Sequence, residues 1–154
     1  FDVHDMRNLY STQFEVVLNL FTSFGYFEKD IDNFKVIQTI KSSLKQNGIG
    51  VIDFMNSPQV IENLIAQNSH KIDGVTFKLK RCYSDGFITK DIDVSDSDKT
   101  YHFQEKVRAY SFQDFEVMLS NAGLHLLECF GNYKLEPFNI KTSKRLILIF
   151  IAND

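Results

Sequence analysis

A short apolar run that leads directly into a polar and aromatic turn is the feature that most limits how this chain can fold. Residues 14–20 are mostly apolar and rich in valine and leucine, which predicts a central parallel strand covered on both faces rather than an edge strand. The turn at residues 22–27 follows, with two hydroxyl side chains, a glycine and three aromatic rings. Ligands of open α/β sheets bind beyond the carboxyl ends of the strands. This turn is therefore the first candidate for a binding site, with Ser23 and Tyr26 among its walls.

The aromatic residues of this region also have a simpler interpretation. Phe21, Phe24 and Phe27 each fit a role in packing beneath the helix that follows the turn. As a cluster beside two hydroxyl groups and Gly25, which permits a close backbone approach, they favour a ligand pocket.

The next part of the chain alternates between helix and strand. Apolar residues recur every three or four positions over residues 31–45, which predicts an amphipathic helix that Gly48 ends. Residues 50–56 predict a second buried strand, and Ser57-Pro58 predicts the start of a second helix. Alternation of this kind implies parallel strands joined by a right-handed crossover.

From residue 76 to residue 110 the apolar pattern changes to strict alternation, which predicts a three-stranded antiparallel β-meander. Asp85-Gly86 is a strong two-residue hairpin signal, and it determines which residues face each other. The expected partners are Tyr83 with Ile88, Arg81 with Lys90, Leu79 with Ile92, Phe77 with Val94, and then Val107 with Ile88, Glu105 with Lys90, Phe103 with Ile92 and Tyr101 with Val94. The row Arg81, Lys90, Glu105 is then either a structural ion pair or a polar patch that binds substrate, and the structural interpretation is the stronger.

The last part of the chain predicts one helix and two strands. Ser111 and Asp114 have the spacing of a capping box, so a helix should run from there to Asn121. Strands at 124–130 and 146–151 should end the sheet in antiparallel fashion. The loop between them carries Tyr133 and has the length to reach back over a site.

Composition excludes several classes of function. The 154 residues carry a net charge of −3, which gives no basic surface for nucleic acid. The longest apolar run is far too short to cross a membrane, and we expect a cytoplasmic protein. The four histidines and two cysteines have no metal-ligand spacing, and no nucleophile elbow or phosphate-binding glycine loop is present. Any catalysis should rest on positioning rather than on a covalent intermediate.

Several passages, in this order, resemble the second half of class I S-adenosylmethionine-dependent methyltransferases. They are Asp5-Met6-Arg7, then FEVV from Phe14 with SFGYF from Ser23, then LKQNG from Leu44 before a strand that ends in Asp53. The passage from Phe103 to Ser111 is similar to the branch that contains amino-sugar N,N-dimethyltransferases. The resemblance implies an α/β fold: part of a Rossmann-like methyltransferase sheet, mostly parallel with an antiparallel last strand. Residues 1–75 and 111–154 would be the core and 76–110 a three-stranded meander insert.

The resemblance also implies roles for individual residues. S-adenosyl-L-methionine would be the cofactor, bound through the Asp5 carboxylate and the Met6 backbone at the adenine, and through Asn19, Leu20 and Phe21 near the sulfonium. Tyr26 would be the catalytic residue beside the methyl group. A small-molecule substrate would meet the residues Ser23, Phe24, Arg81, Glu105 and Tyr133.

The glycine-rich cofactor loop of these enzymes is absent from the sequence, so we expect the chain alone to be inactive. In such a sheet residues 1–4 would form a strand separated from residues 14–20, which leaves the edge of the latter open. We therefore expect a homodimer through that edge, or an N-terminal segment that fills it. The alternative function is a non-catalytic, methyltransferase-like module that binds another protein.

Overall fold

The computed structural model describes residues 2–152, which form two four-stranded sheets and three α-helices. The elements in chain order are β1 (Phe14–Asn19), α1 (Asp30–Ser43), β2 (Leu44–Met55), α2 (Ser57–Glu62), β3 (Gln67–Ile72), β4 (Val75–Ser84), β5 (Phe87–Asp96), β6 (Lys99–Arg108), α3 (Phe112–Asn121), β7 (Leu124–Phe130) and β8 (Arg145–Ala152). The first sheet has the strand order β1-β2-β8-β7 and the second has the order β3-β4-β5-β6. None of the helices within residues 2–152 has the length and apolar character needed to cross a membrane.

The first sheet is only partly parallel. β1 pairs with β2 in parallel, whereas β8 is antiparallel to both of its neighbours, β2 and β7. β1, β2 and β7 therefore run in one direction and β8 runs against them. The expected antiparallel last strand is confirmed. The expectation of a mostly parallel sheet is corrected, because β8 lies between β2 and β7 and only one of the three strand pairs is parallel.

The prediction that β1 is a central, doubly covered strand is wrong for the described residues. β1 is an edge strand that pairs only with β2, and its side chains Val16 and Leu18 are 50% and 57% exposed. Residues 2–4, expected to end a strand, have no regular structure, and Phe1 lies outside the described residues. The turn at Asp5 is present, since Asn8 N donates to Asp5 O at 2.8 Å.

The core lies on one face of the first sheet. α1 and α3 cover this face, and the alternate positions Ile52 and Phe54 of β2 point toward them with no exposed surface. An aromatic cluster is at its centre, where the Phe115 ring centroid lies 5.2 Å from that of Phe54 and 5.3 Å from that of Phe24. Burial of such large rings is the main stabilising contribution in a domain of this size.

Several helix and strand boundaries differ from the sequence prediction. α1 ends at Ser43 rather than near Gly48, because Leu44 is already extended and begins β2. The N-cap of α2 is Asn56 rather than Ser57, with a proline in the first turn as expected. α2 has only six residues and ends at Glu62.

The second sheet has the register that the Asp85-Gly86 turn predicts. All eight expected partners are found, Arg81 opposite Lys90 and Lys90 opposite Glu105 among them. The sheet nevertheless has four strands rather than three, since β3 pairs with β4. β3 has the sequence QNSHKI and every one of its residues is exposed, so no apolar alternation marked it as a strand.

The end of the chain follows its local signals closely. Ser111 Oγ accepts from Asp114 N while the Asp114 carboxylate accepts from Ser111 N, which completes the predicted capping box of α3. β7 has the predicted bounds, and β8 begins one residue earlier than expected.

Candidate functional site

A cleft of about 500 Å³ opens along β1. It brings together the N-terminal turn, the end of β1 and one side of α1. Its lining residues are Met6, Asn8, Tyr10, Phe14, Val16, Val17, Leu18, Asn19, Leu20, Ser23, Val36, Thr39, Ile40 and Ser43. The volume and the mainly apolar lining are those of a site for a small organic molecule.

Asn19, the last residue of β1, has an unpartnered polar atom in this cleft. Its side-chain Oδ1 is buried and has no hydrogen-bond partner among the described residues. Buried polar groups are nearly always paired, because an unpaired one loses its hydration without compensation. Because Asn19 lines the cleft, this unpaired acceptor lies at the cleft wall, where a small rearrangement of the side chain would present it to a ligand.

The N-terminal turn is held against α1 by Arg7. Arg7 binds the Asp5 carboxylate through Nε and Nη2, the latter at 2.7 Å, and also approaches Asp32 of α1 at 3.4 Å. Thr39 Oγ1 donates to the Arg7 carbonyl at 3.1 Å, and the guanidinium lies over the Phe27 ring. The hydrogen bonds from the Arg7 side chain and backbone lower the pKa of Asp5 to about 2. Asp5 is therefore an ionised acceptor at neutral pH.

The loop after β1 begins with two consecutive residues in the left-handed backbone region. Phe21 has φ of 57° and Thr22 has φ of 59°, a conformation that side chains with a Cβ rarely adopt. Phe21 N donates to Asp53 Oδ2 at 3.0 Å, and Thr22 N donates to the Asp53 carbonyl at 3.0 Å. Asp53 near the end of β2 thus holds both residues.

The Asp53 carboxylate has two further partners from the end of the chain. Arg145 Nε donates to Oδ1 at 2.8 Å, and Tyr133 OH donates to Oδ2 at 2.9 Å. Arg145 Nη2 also reaches Thr22 Oγ1 at 3.0 Å. Asp53 is 1% exposed, so its charge is balanced within the protein by Arg145. The hydrogen bond from Tyr133 OH to Asp53 raises the pKa of the Tyr133 phenol, because ionisation of the phenol would place two negative charges together.

The structure separates the predicted site residues into those at the cleft and those elsewhere. Met6, Asn19, Leu20 and Ser23 line the cleft together, whereas Asp5 and Phe21 lie next to lining residues without lining it. Ser23 is exposed, and its Oγ donates to the Leu20 carbonyl at 2.6 Å.

The prediction that Phe24 meets the substrate is corrected. Phe24 is fully buried in the aromatic core and does not line the cleft. The packing interpretation therefore holds for this ring. Gly25 beside it, with φ of 87°, accepts the Arg108 N–H at 2.8 Å, and a Cβ there would crowd Val107. This contact attaches the second sheet to the loop.

Tyr26 stands where the loop meets the second sheet. It is half exposed, and burial together with the negative charge of Glu105 raises the pKa of its phenol. Glu105 itself pairs with Lys90 at 3.1 Å. Arg81, the third member of the predicted charged row, turns instead to β3 and donates to Asn68 Oδ1 at 2.7 Å. The predicted row therefore consists of a Lys90–Glu105 ion pair and of Arg81, which is bound to Asn68 rather than to that pair.

Sequence reasoning missed Asp53 and Arg145 as the residues that hold the loop beside the cleft. A signal was available, since Asp53 is a lone acid in the apolar strand VIDFM and Arg145 starts the apolar strand RLILIFIA. Charges inside apolar strands indicate buried pairs. In residues 2–152 no group of three or more histidine, cysteine or acidic side chains is arranged to hold a metal ion.

The described residues have the fold of S-adenosylmethionine-dependent methyltransferases, which confirms the resemblance at the level of the fold. The chain is similar to an S-adenosylmethionine-dependent methyltransferase from Clostridium acetobutylicum, with a TM-score of 0.88 and 19% identity over 99% of this chain and 64% of that one. It is also similar to the CcbJ methyltransferase from Streptomyces caelestis, with a TM-score of 0.84 and 15% identity over 99% of this chain and 63% of that one.

The branch named from the sequence is represented as well. The sugar N-methyltransferase KedS8 from a Streptoalloteichus species matches with a TM-score of 0.72 and 16% identity, over 98% of this chain and 61% of that one. The chain thus spans less than two thirds of the length of these solved structures. No protein-family model matches the sequence, and no curated protein matches it either.

Proposed function

We propose that this protein is an S-adenosylmethionine-dependent methyltransferase that methylates a small molecule by direct in-line transfer to a positioned nucleophile. One observation carries the proposal. In a chain with the methyltransferase fold, a cleft of about 500 Å³ joins the N-terminal turn to the end of β1, and one of its lining residues, Asn19, carries a buried side-chain acceptor without a partner among the described residues.

The residues at the cleft suit the cofactor. Asn19 Oδ1 would accept a hydrogen bond from the amino group of its methionine part, beside Leu20. Met6 would pack its backbone on the adenine edge, and the ionised Asp5 would accept from the adenine amino group while it keeps Arg7. Phe21, which is well exposed next to this cleft, would shield the sulfonium from water, and aromatic faces attract such a cation.

The cofactor supplies an electrophilic methyl group on a sulfonium. The protein's task is then alignment and the exclusion of water rather than strong acid or base catalysis. Tyr26 is proposed as the catalytic residue that touches the acceptor. Because its pKa is raised, the phenol keeps its proton at neutral pH and can donate a hydrogen bond that orients the nucleophile.

The acceptor is proposed to lie between the loop after β1 and the second sheet. Ser23, Arg81, Glu105 and Tyr133 would contribute polar contacts. The separation of the methyltransferase core from the second sheet, which begins with β3 at Gln67 rather than at residue 76, would then have a functional meaning, because Gly25 attaches that sheet beside Tyr26. Similarity to a sugar N-methyltransferase supports a small-molecule acceptor.

Titration of S-adenosylhomocysteine into the full-length protein by calorimetry tests the proposal. We expect binding that Asp5→Ala weakens at least about tenfold, the loss of one charge-assisted hydrogen bond. Asp98→Ala, an exposed acid in the turn between β5 and β6, is the matched control and should leave affinity unchanged. Arg7→Gln separates the two uses of Asp5: affinity should fall less than in Asp5→Ala if the carboxylate itself contacts the ligand. Absence of binding by the wild-type protein would contradict the proposal.

A non-catalytic interaction module is the second candidate, and the exposed edge of β1 favours it. Val16 and Leu18 are opposite Ile49 and Val51 in the parallel register, so they share one face of the first sheet. An open edge with apolar side chains is suited to pairing with another chain, including a second copy of this one. Under this alternative, Leu18→Lys would abolish association measured by sedimentation, and S-adenosylhomocysteine would not bind at any concentration.

A further inference from the structure

We propose that Asp53 is a positioning residue, which holds the loop after β1 in the shape that the methyl-transfer site requires. The part about the loop rests on the structure alone, and the part about the site rests on the proposed function. Asp53 belongs neither to the residues that line the cleft nor to the hydrophobic core cluster. It acts through the residues that its carboxylate binds.

The number and direction of its contacts go beyond the balancing of a charge. A carboxylate that only neutralised Arg145 would need that guanidinium alone. Here Oδ1 faces Arg145, while Oδ2 accepts both Phe21 N and Tyr133 OH. One buried group thus joins the loop after β1 to the loop between β7 and β8.

The loop after β1 depends on these contacts for its backbone shape. Two consecutive left-handed residues other than glycine persist only where the surroundings impose them. The imposing contacts to Phe21 and Thr22 are the carboxylate of Asp53, the carbonyl of Asp53 and the guanidinium of its partner Arg145.

The shape of these two residues determines the floor of the cleft. Leu20 and Ser23 flank them and both line the cleft. Since Ser23 Oγ donates to the Leu20 carbonyl across the turn, a change of φ at Phe21 or Thr22 would separate these two groups. The same change would move Leu20 and Phe21, proposed to lie near the sulfonium, and Ser23, proposed to contact the acceptor.

Asp53→Asn is a sharp test because it keeps the shape of the side chain and changes one acceptor into a donor. If the amide oxygen faces Phe21 N, the amide nitrogen points its hydrogens at the Arg145 guanidinium. If the amide oxygen instead faces Arg145, the amide nitrogen points its hydrogens at Phe21 N–H. Either orientation leaves donors opposed in a buried place. Asp93→Asn is the matched control, a partly exposed acid on β5 that binds His102.

The first readout is hydrogen exchange of the Phe21 amide by NMR in the full-length protein. We expect exchange at least about tenfold faster in Asp53→Asn and unchanged in Asp93→Asn. The second readout is the Kd for S-adenosylhomocysteine, expected to rise about tenfold in Asp53→Asn. Adding Thr22→Gly should recover part of that loss, because glycine adopts positive φ without a Cβ penalty. A merely structural role would instead speed the exchange of amides throughout the protein to a similar extent, Phe21 included.

The outcomes are distinguishable. Phe21 exchange within twofold of wild type in Asp53→Asn would overturn the proposal. Faster exchange with unchanged affinity would overturn the positioning role. If the wild type binds no S-adenosylhomocysteine, the proposed function fails and the site part of this proposal fails with it, whereas the exchange readout still decides the loop part. Should Asp53→Asn not fold, Arg145→Lys replaces it: lysine keeps the charge but cannot fork to Thr22, and we expect Phe21 and Thr22 exchange roughly threefold faster.

Discussion

Gly50 of β2 and Phe150 of β8 are cross-strand partners, and the Phe150 ring occupies the space in which a Gly50 side chain would begin. Phe150 is fully buried in the core, so its ring is enclosed by other parts of the protein. This contact explains a glycine in the middle of a buried strand, where backbone entropy otherwise disfavours it.

We therefore expect Gly50→Ala to destabilise the fold by about 2 kcal/mol or more through overpacking, measured by urea unfolding. Phe150→Leu should make room for the new methyl group. The double variant should consequently lose less stability than the sum of the two single variants. Additive losses would show that the ring is not the obstacle.

Removal of the α3 cap should have a smaller effect. Ser111→Ala deletes the acceptor for Asp114 N and should lower the free energy of unfolding by about 1 kcal/mol. Ser120→Ala, an exposed serine within the same helix, is the control and should be neutral or slightly stabilising. Equal losses in both variants would refute the role of the cap.

The Lys90–Glu105 ion pair should contribute little to stability, although its register was predicted from the sequence. Both side chains are part exposed, at 32% and 48%, and exposed pairs are screened by solvent. A double-mutant cycle with Lys90→Ala and Glu105→Ala should give a coupling energy below about 1 kcal/mol. A larger value would mean that the second sheet depends on this pair.

The two cysteines should differ in their reaction with iodoacetamide. Burial, and secondly the charge of Glu116, raises the pKa of the Cys129 thiol to about 12 from its ordinary 9.0, and the thiolate is the reactive form. At pH 8, mass spectrometry should find Cys129 labelled at least about tenfold more slowly than the exposed Cys82.

The raised pKa of Cys129 also determines how stability changes with pH. The folded protein holds the Cys129 proton more tightly than the unfolded chain, so this contribution to stability is complete below pH 9.0 and is lost as the pH rises toward about 12. Labelling of Cys129 should accelerate over that interval. In urea the difference between the two cysteines should disappear, and a difference that persisted there would point to another cause.

Much of the fold was predictable where its signals lie within a few residues of each other. The Asp85-Gly86 turn fixed the register of three strands of the second sheet, and Ser111 with Asp114 fixed the start of α3. β3 was missed because its polar sequence pairs with β4 through backbone groups, which leave no mark on side-chain pattern.

The candidate site was predictable only in part. Asn19, Leu20 and Ser23 line the cleft at the carboxyl end of a strand, which is a general location for ligands, and their roles toward a cofactor or substrate stay predictions. Phe24 was misplaced, since sequence does not tell which side of a turn a ring will face. Here the ring turns into the core against Phe115.

The sequence by itself determined the local elements, their turns and the position of the loop after β1, because these depend on short-range periodicity and turn chemistry. Only the tertiary structure decided that Asp53 would hold that loop. Its partners Phe21, Tyr133 and Arg145 lie 32, 80 and 92 residues away along the chain. Such a buried network forms only when the strands that carry its members are brought side by side, so no local pattern encodes it.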